Sequence, residues 1–234
     1  RMYGLPDNNG NSTTHMMLYI PITGEDGKVW LNNNLGAHYT NVNHPSFNIT
    51  KQATSETDHL AYGSKFQWGR KPDGHELMTY TSSTAATPVY GSTLTQNNNP
   101  TDALFIATIA ESNLDWRLTQ NGALWETESS SNNPCPVGFR VPADPEFDNM
   151  LGSANITNGS TASGSALKLT FTGFRDYTSA FSSLSTSGVY WTSSKSQISS
   201  NAAPNSMIYG LNNGVITTTA QYRAGAASIR CIKD

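Results

Sequence analysis

The stretch "NNPCPVGFRVPADPEF", residues 132–147, sets the reading of this chain. Cys135 stands between two prolines and is followed by a Gly-Phe-Arg run. Only one other cysteine exists, Cys231, three residues from the end in "SIRCIKD". A reactive thiol needs an electropositive setting that lowers its pKa. Cys135, enclosed by prolines and an apolar run, reads as structural.

Immediately after the cysteine box, "ADPEFDNML" (143–151) carries a helix start. Asp144 reads as the cap and Pro145 as the first helical residue, where a missing N–H costs nothing. Glu146 and Asp148 complement the positive helix end. The helix is expected to be short, because Gly152 and then "TNGSTASGS" (157–165) interrupt it.

Elsewhere the chain alternates short β-prone runs with turn signals. "HMMLYIPI" (15–22), "VWL" (29–31), "ALKLTF" (166–171), "GVYWTSS" (188–194) and "ASIRCIKD" (227–234) read as strands. "TGEDGK" (23–28) turns the first hairpin. "SMIYGLNNGVITTTAQY" (206–222) reads as a second hairpin, since Asn-Gly favours a tight turn with positive φ. "DALFIATIA" (102–110) fits strand or short helix equally. Residues 36–60 are polar and irregular. The expected class is α+β, with mostly antiparallel strands, few short helices and long loops.

Composition narrows the function. The 234 residues carry a net charge of −3, and only 13% are charged, against about 25% in an ordinary domain. Asparagine, serine, threonine and glycine fill the gap, with 23 asparagines. This balance gives no reason to expect nucleic acid as a partner. No apolar run approaches the ~18 residues of a membrane span, so no direct membrane insertion is expected. The chain starts at Arg1 with no signal peptide, and the expectation is that a targeting segment has been trimmed. Between Asp176 and Asp234 there is no acidic residue. Lys195, Arg223, Arg230 and Lys233 are the only full charges there.

Catalytic and cofactor signatures are missing from the pattern. No phosphate loop, dinucleotide fingerprint or zinc spacing is present, and neither a cofactor nor a metal is called for. His15, His38, His44, His59 and His75 lack ligand-like spacing and read as surface or loop histidines. "GEDG" (24–27) and "KPDGHE" (71–76) offer oxygens suited to Ca²⁺, but read more simply as turns. Glu126 and Glu128, the nearest carboxylate pair, are expected on one side of a strand, in solvent. Trp30, Trp68, Trp116, Trp125 and Trp191 are expected to be core anchors rather than a sugar platform.

Taken in order, "VWLNNNLG", "YGSKFQWGRKPDG", "DWRLTQNGALWE", "NNPCPVGFRVPADPEF", "GVYWTSS" and "SIRCIKD" resemble the Fibrobacter succinogenes major paralogous domain, over residues 16–234. That family is abundant on the surfaces of Bacteroidetes-type bacteria. Ala143 stands where the family often has Thr, and "GAAS" (225–228) is one residue longer than the usual spacing. The resemblance implies a C-type lectin-like fold, with paired terminal strands and a loop-rich insertion. It also implies an exported, cell-surface protein, with residues 1–15 an N-terminal extension or the remnant of a preceding domain. The calcium-lectin signatures Glu-Pro-Asn, Gln-Pro-Asp and Trp-Asn-Asp are absent. With it comes the expectation of a Cys135–Cys231 disulfide. The bond would close a loop of about 97 residues and fits an oxidising compartment.

The tail, residues 192–228, is similar to the variable regions of proteins diversified by retroelements, which use the same fold. There, adenine mutagenesis of Asn codons yields Ser, Thr, Ile, Tyr and related residues. On this likeness the chain is expected to be a surface-displayed ligand-binding module, an adhesin or pilus-tip domain, and not an enzyme. Its partner would be a protein or glycan on another cell or surface, with pilus subunits as further partners. The expected ligand-binding residues are Tyr190, Lys195, Gln197, Ser199, Asn201, Asn205, Tyr209, Asn212, Asn213, Thr217, Thr219, Tyr222 and Arg223. Loops on a rigid scaffold, rich in Tyr, Ser and Asn, suit adaptable recognition. The alternatives are a structural subunit of a surface assembly, or an oxidase- or hydrolase-type enzyme on the same fold.

Overall fold

A computed structural model describes residues 3–5, 16–108, 114–195, 205–212 and 215–234; for 3–5, 205–212 and 215–217 it describes the backbone only. Short strands dominate. In chain order, β1 (Tyr3–Leu5) pairs with β2 (Met17–Tyr19), and β3 (Pro21–Thr23) with β4 (Val29–Leu31). After the irregular stretch come β5 (Phe66–Gln67), the hairpin β6 (Met78–Ser82) and β7 (Ala85–Pro88), then the parallel pair β8 (Ser92–Thr93) and β9 (Phe105–Ile106). The second half holds β10 (Phe139–Arg140), α1 (Asp144–Ser153), α2 (Gly159–Gly164), β11 (Thr172–Arg175) and β12 (Phe181–Leu184). It closes with β13 (Ser187–Lys195), β14 (Asn205–Asn212), β15 (Val215–Tyr222), β16 (Ala226–Ala227) and β17 (Ile232–Lys233).

Two four-stranded sheets form the centre, in the orders β10-β17-β4-β3 and β12-β11-β16-β5. The end of the chain joins them. Residues 226–227 pair in the second sheet and 232–233 in the first. The expected single strand over 227–234 is therefore two short strands. Between them the extended backbone accepts from Leu35 N at Ile229 and from Leu31 N at Cys231.

Cys135 and Cys231 are disulfide-bonded, with Cα atoms 6.0 Å apart. The bridge lies in the larger of the two main cores with Leu31, Phe66, Trp68, Trp125, Phe139 and Trp191. The second core packs α1 (Phe147, Met150, Leu151) against Trp30, Leu167, Leu169, Phe171 and Tyr190. All five tryptophans are 0–1% exposed. Each indole N–H is also satisfied: Trp68 donates to Thr192 O, Trp116 to Trp68 O, Trp125 to Asn132 O, Trp191 to Phe66 O and Trp30 to Asp26. A buried aromatic with a polar handle needs such a partner.

The sequence block "LNNNLG" has a structural cause. Asn32, Asn33 and Asn34 are all buried, and their amides donate to the carbonyls of Ile49, Lys51 and Ala61. They supply the hydrogen bonds that the irregular segment 41–62 cannot make with a neighbouring strand. Gly63, at φ +77°, lies against this block; a Cβ there would meet Leu35 O at 2.4 Å.

Three local readings need correction. First, α1 is capped at Ala143, not Asp144, and Pro145 is its second residue. The free N–H groups are taken by other side chains: Ala143 N donates to Glu146 Oε2 and Asp144 N to Ser194 Oγ. Second, "TNGSTASGS" is not simply a break. Asn158 caps α2, accepting from Thr161 N. Third, residues 166–171 form no strand. Leu167, Leu169 and Phe171 do alternate into the core, but Leu169, Thr170 and Phe171 donate their N–H groups to Ala162 O, Tyr190 Oη and Glu56 O. Strand β11 begins one residue later.

The turn over 23–28 is present, closed by Gly24 N donating to Lys28 O. The β14–β15 hairpin pairs in continuous register from Asn205↔Tyr222 to Asn212↔Val215. Its turn residues, 213 and 214, lie outside the described residues.

Candidate ligand-binding face

β13 starts inside the protein and ends on its surface. Tyr190, Trp191 and Thr192 are completely buried, whereas Lys195 is exposed. On one side the strand is fixed to the chain end: Trp191 N donates to Ser228 O, and Ser228 N to Val189 O. On the other it pairs with β14 from Ser187↔Asn212 to Trp191↔Ile208, with a register shift before Lys195↔Ser206. β13 is thereby tied to the extended stretch between β16 and β17 that carries Cys231. A bulge re-aims the strand where it reaches solvent.

A wall of loop 114–126 stands beside the outer end of β13. Lys195 lays its stem across Gly122, where a Cβ would come within 2.6 Å of Lys195 Cδ. Its ammonium reaches Glu126 Oε1 at 3.7 Å. Arg223, at the foot of β15, is buried with its guanidinium 4.1 Å above the Trp68 ring. It donates to Asn121 O at 3.2 Å. Burial lowers its pKa, and Asp115 opposes that shift. Burial likewise pushes the Asp115 carboxyl up to about 6, against the pull of the Arg117 amide and the Arg223 charge. Tyr222 is half-buried and packs edge-on against Tyr177, with centroids 5.6 Å apart. Thr218 and Thr219 are exposed on β15.

Thus Lys195, Thr219 and Tyr222 reach the surface and are held by one strand system. Two expected contacts do not. Tyr190 is fully buried, its hydroxyl accepting from Thr170 N and donating to Thr170 O. Arg223 is a strut between Trp68 and the 114–126 loop and reaches no solvent-facing position. Gln197, Ser199, Asn201 and Asn213 lie outside the described residues. The side chains of Asn205, Tyr209, Asn212 and Thr217 do too, although their backbones are paired in β14 and β15. Asn121, Gly122 and Glu126 were absent from the expected set. Their signal was visible only as a packing run, "DWRLTQNGALWE", and nothing in it names the partner strand. Glu126 and Glu128 sit in turns rather than on one strand; Glu126 is exposed and Glu128 half-buried.

A second cluster of interest is Asp73, His75 and Glu76, all buried, with ligand atoms within 4.8 Å of one another. This is the "KPDGHE" turn, and it corrects the surface reading of His75. The donors are already engaged. His75 Nε2 accepts from Gln67 N, its Nδ1 faces Asp73 Oδ1 at 2.6 Å, Asp73 Oδ2 accepts from Arg70 Nε, and Glu76 Oε2 accepts from Gly74 N. Burial lowers His75 to about 4 and, with Asp73 adding repulsion, raises Glu76 to about 8. The cluster works as a buried polar strut for loop 67–76.

Among the described residues no helix is long and apolar enough to cross a membrane. No family model, curated protein or solved structure matches the chain.

Proposed function

We propose that this protein is a surface-displayed ligand-binding module of C-type lectin-like fold, and that the β13–β15 region, residues 192–228, is its recognition surface. The carrying observation is the passage of β13 from complete burial at Tyr190–Thr192 to exposure at Lys195, on a base clamped to the disulfide-bonded chain end. That arrangement supports a reading in which outer positions vary while the foundation stays constant. The pairing of β17 with β4, joining the end of the chain to its early strands, supports the fold assignment. The disulfide supports export to an oxidising compartment, with the ligand a protein or glycan on another surface.

The test replaces Lys195, Asn201, Tyr209 and Tyr222 together by alanine. Both proteins are then screened against glycan arrays and cell-surface protein arrays. Binding by the parent that is lost in the variant supports the reading; identical profiles reject this surface.

One observation favours a second reading as a structural subunit of a surface assembly. Among the described residues β15 hydrogen-bonds to β14 alone, leaving its other edge open to a strand from a neighbour. Chain-length-dependent assembly on addition of a donor peptide would favour it.

A further inference from the structure

Two strands from different sheets face each other across an open cavity of about 380 Å³. One wall is residues 84–87, the turn end of β7, and the other is residues 181–184, the whole of β12. No residue of β6 or β11 lines it, so the outer edges of β7 and β12 meet there rather than their paired sides. Among the described residues β7 hydrogen-bonds to β6 alone and β12 to β11 alone. The register shows what β7 offers. Val89 N donates to Leu77 O, which makes that pair a hydrogen-bonded one. Antiparallel pairs alternate, so Thr79↔Thr87 is the next hydrogen-bonded pair, and at Tyr80↔Ala86 the N–H and C=O turn away from the partner strand. Ala86 therefore presents a donor and an acceptor at the free edge.

The two walls share one foundation. Ala86, Phe181 and Leu184 all pack on the buried cluster of Tyr62, Met78 and Tyr80. The Tyr62 hydroxyl donates to Ser83 O at 3.3 Å, in the turn before β7, and interacts with the Ser185 side chain just past β12. Folded proteins blunt open edges with lysine, inward charges or proline. The lining runs, Thr-Ala-Ala-Thr and Phe-Ser-Ser-Leu, hold none of these, and Pro88 ends β7 beyond the cavity. Small side chains on both walls let another backbone come close, and the lack of charge matches an uncharged guest.

We propose that this cavity takes up an extended, uncharged peptide strand from a partner protein, pairing with β7 on one side and β12 on the other. The guest would join β6-β7 to β12-β11-β16-β5 as one continuous sheet. Strand geometry gives ~3.3 Å per residue, so about four guest residues span each wall. Its alternate side chains face the apolar cluster, and those between face the exposed Thr84, Thr87 and Ser182. The site lies apart from residues 192–228 and does not depend on what that surface binds.

The experiment titrates the nitrogen-15-labelled full chain by NMR with an acetylated, amidated pentapeptide of alternating threonine and valine. The control is the same peptide N-methylated at every second amide, which keeps the side chains and removes strand donors. Saturable shifts at the amides of 84–87 and 181–184 are expected with the first peptide, and binding about tenfold or more weaker with the second. Ala86→Pro removes the donor at one edge. Ser182→Lys puts a charge on the other from an exposed position, where the thermal melt should not change. Each variant is expected to weaken binding about tenfold or more. No saturable shift, equal binding of the N-methylated peptide, or shifts confined to β15 would each overturn the assignment. So would concentration-dependent self-association of the chain through 84–87 and 181–184, which would make the occupant a second copy.

Discussion

Arg230 forks its guanidinium onto Asn34, Nε and Nη2 both donating to Asn34 Oδ1 at 3.0 and 2.8 Å. Its Nη1 donates to the Leu167 carbonyl, and the carbonyls of Leu31 and Asn32 lie at its limit. The residue is 2% exposed, and burial brings its pKa down to about 10. One side chain thus ties the last segment to the Asn32–Asn34 block and to the stretch before β11. Arg230→Ala leaves these acceptors unpaired and opens a cavity. The expected cost is about 3–5 kcal/mol, read as a fall in the urea midpoint with little change in slope.

Removing the disulfide tests the other tie. The double variant Cys135→Ser, Cys231→Ser frees a loop spanning 96 positions. The chain-entropy relation predicts a loss of about 4–5 kcal/mol in equilibrium unfolding. Thiol titration of the unfolded, unreduced parent should find no free thiol; two thiols would refute the bond.

Acid should act through Glu146. Bidentate hydrogen bonding from Arg140, opposed by burial and aided by Ala143 N, lowers its pKa from 4.5 to about 2. A depressed carboxylate stabilises the fold above its unfolded pKa and loses that contribution as pH falls through the folded value. Stability is therefore expected to drop between pH 4.5 and 2, and Glu146→Gln should flatten this part of the melting-temperature profile.

Glu76 gives the opposite sign. Its folded pKa, raised from 4.5 to about 8, means that the folded state holds a proton the unfolded state has released. Its contribution is present below pH 4.5 and is lost as pH rises through 8. Glu76→Gln is expected to remove this decline between pH 4.5 and 8, measured by thermal melts of both proteins across that range.

Sequences of the same locus from sister strains bear on the proposed recognition surface. Scattered differences confined to 192–228, with 132–147 and 229–234 constant, are expected. A uniform tail would reject diversification.

Elements fixed by local chemistry were legible in the sequence. The pairing of 205–212 with 215–222, the turn at 23–28 and a short helix with Pro145 in its first turn fall where the sequence signals put them. The tryptophans followed from their size. What escaped depends on which distant group arrives. Asn32, Asn33 and Asn34 look like a polar turn until the carbonyls of 49–61 close over them. His75 looks like a loop histidine until Gln67 N and Asp73 enclose it. Tyr190 lies where alternation fails: Tyr190, Trp191 and Thr192 are buried in succession, and Thr170 and Phe147 hold the Tyr190 side chain inside. Ala143 displaced the expected cap because Ser194, fifty residues on, supplied the missing acceptor.

The Cys135–Cys231 bond also makes a covalent ring of everything from 135 to 231, the whole β14–β15 hairpin included. A protease that cuts once between β13 and β15 opens the ring without releasing a piece. Both halves stay on one molecule, and the cut is visible only after reduction. A nick in this segment is then a local injury, and the strands on either side keep their place in the two sheets.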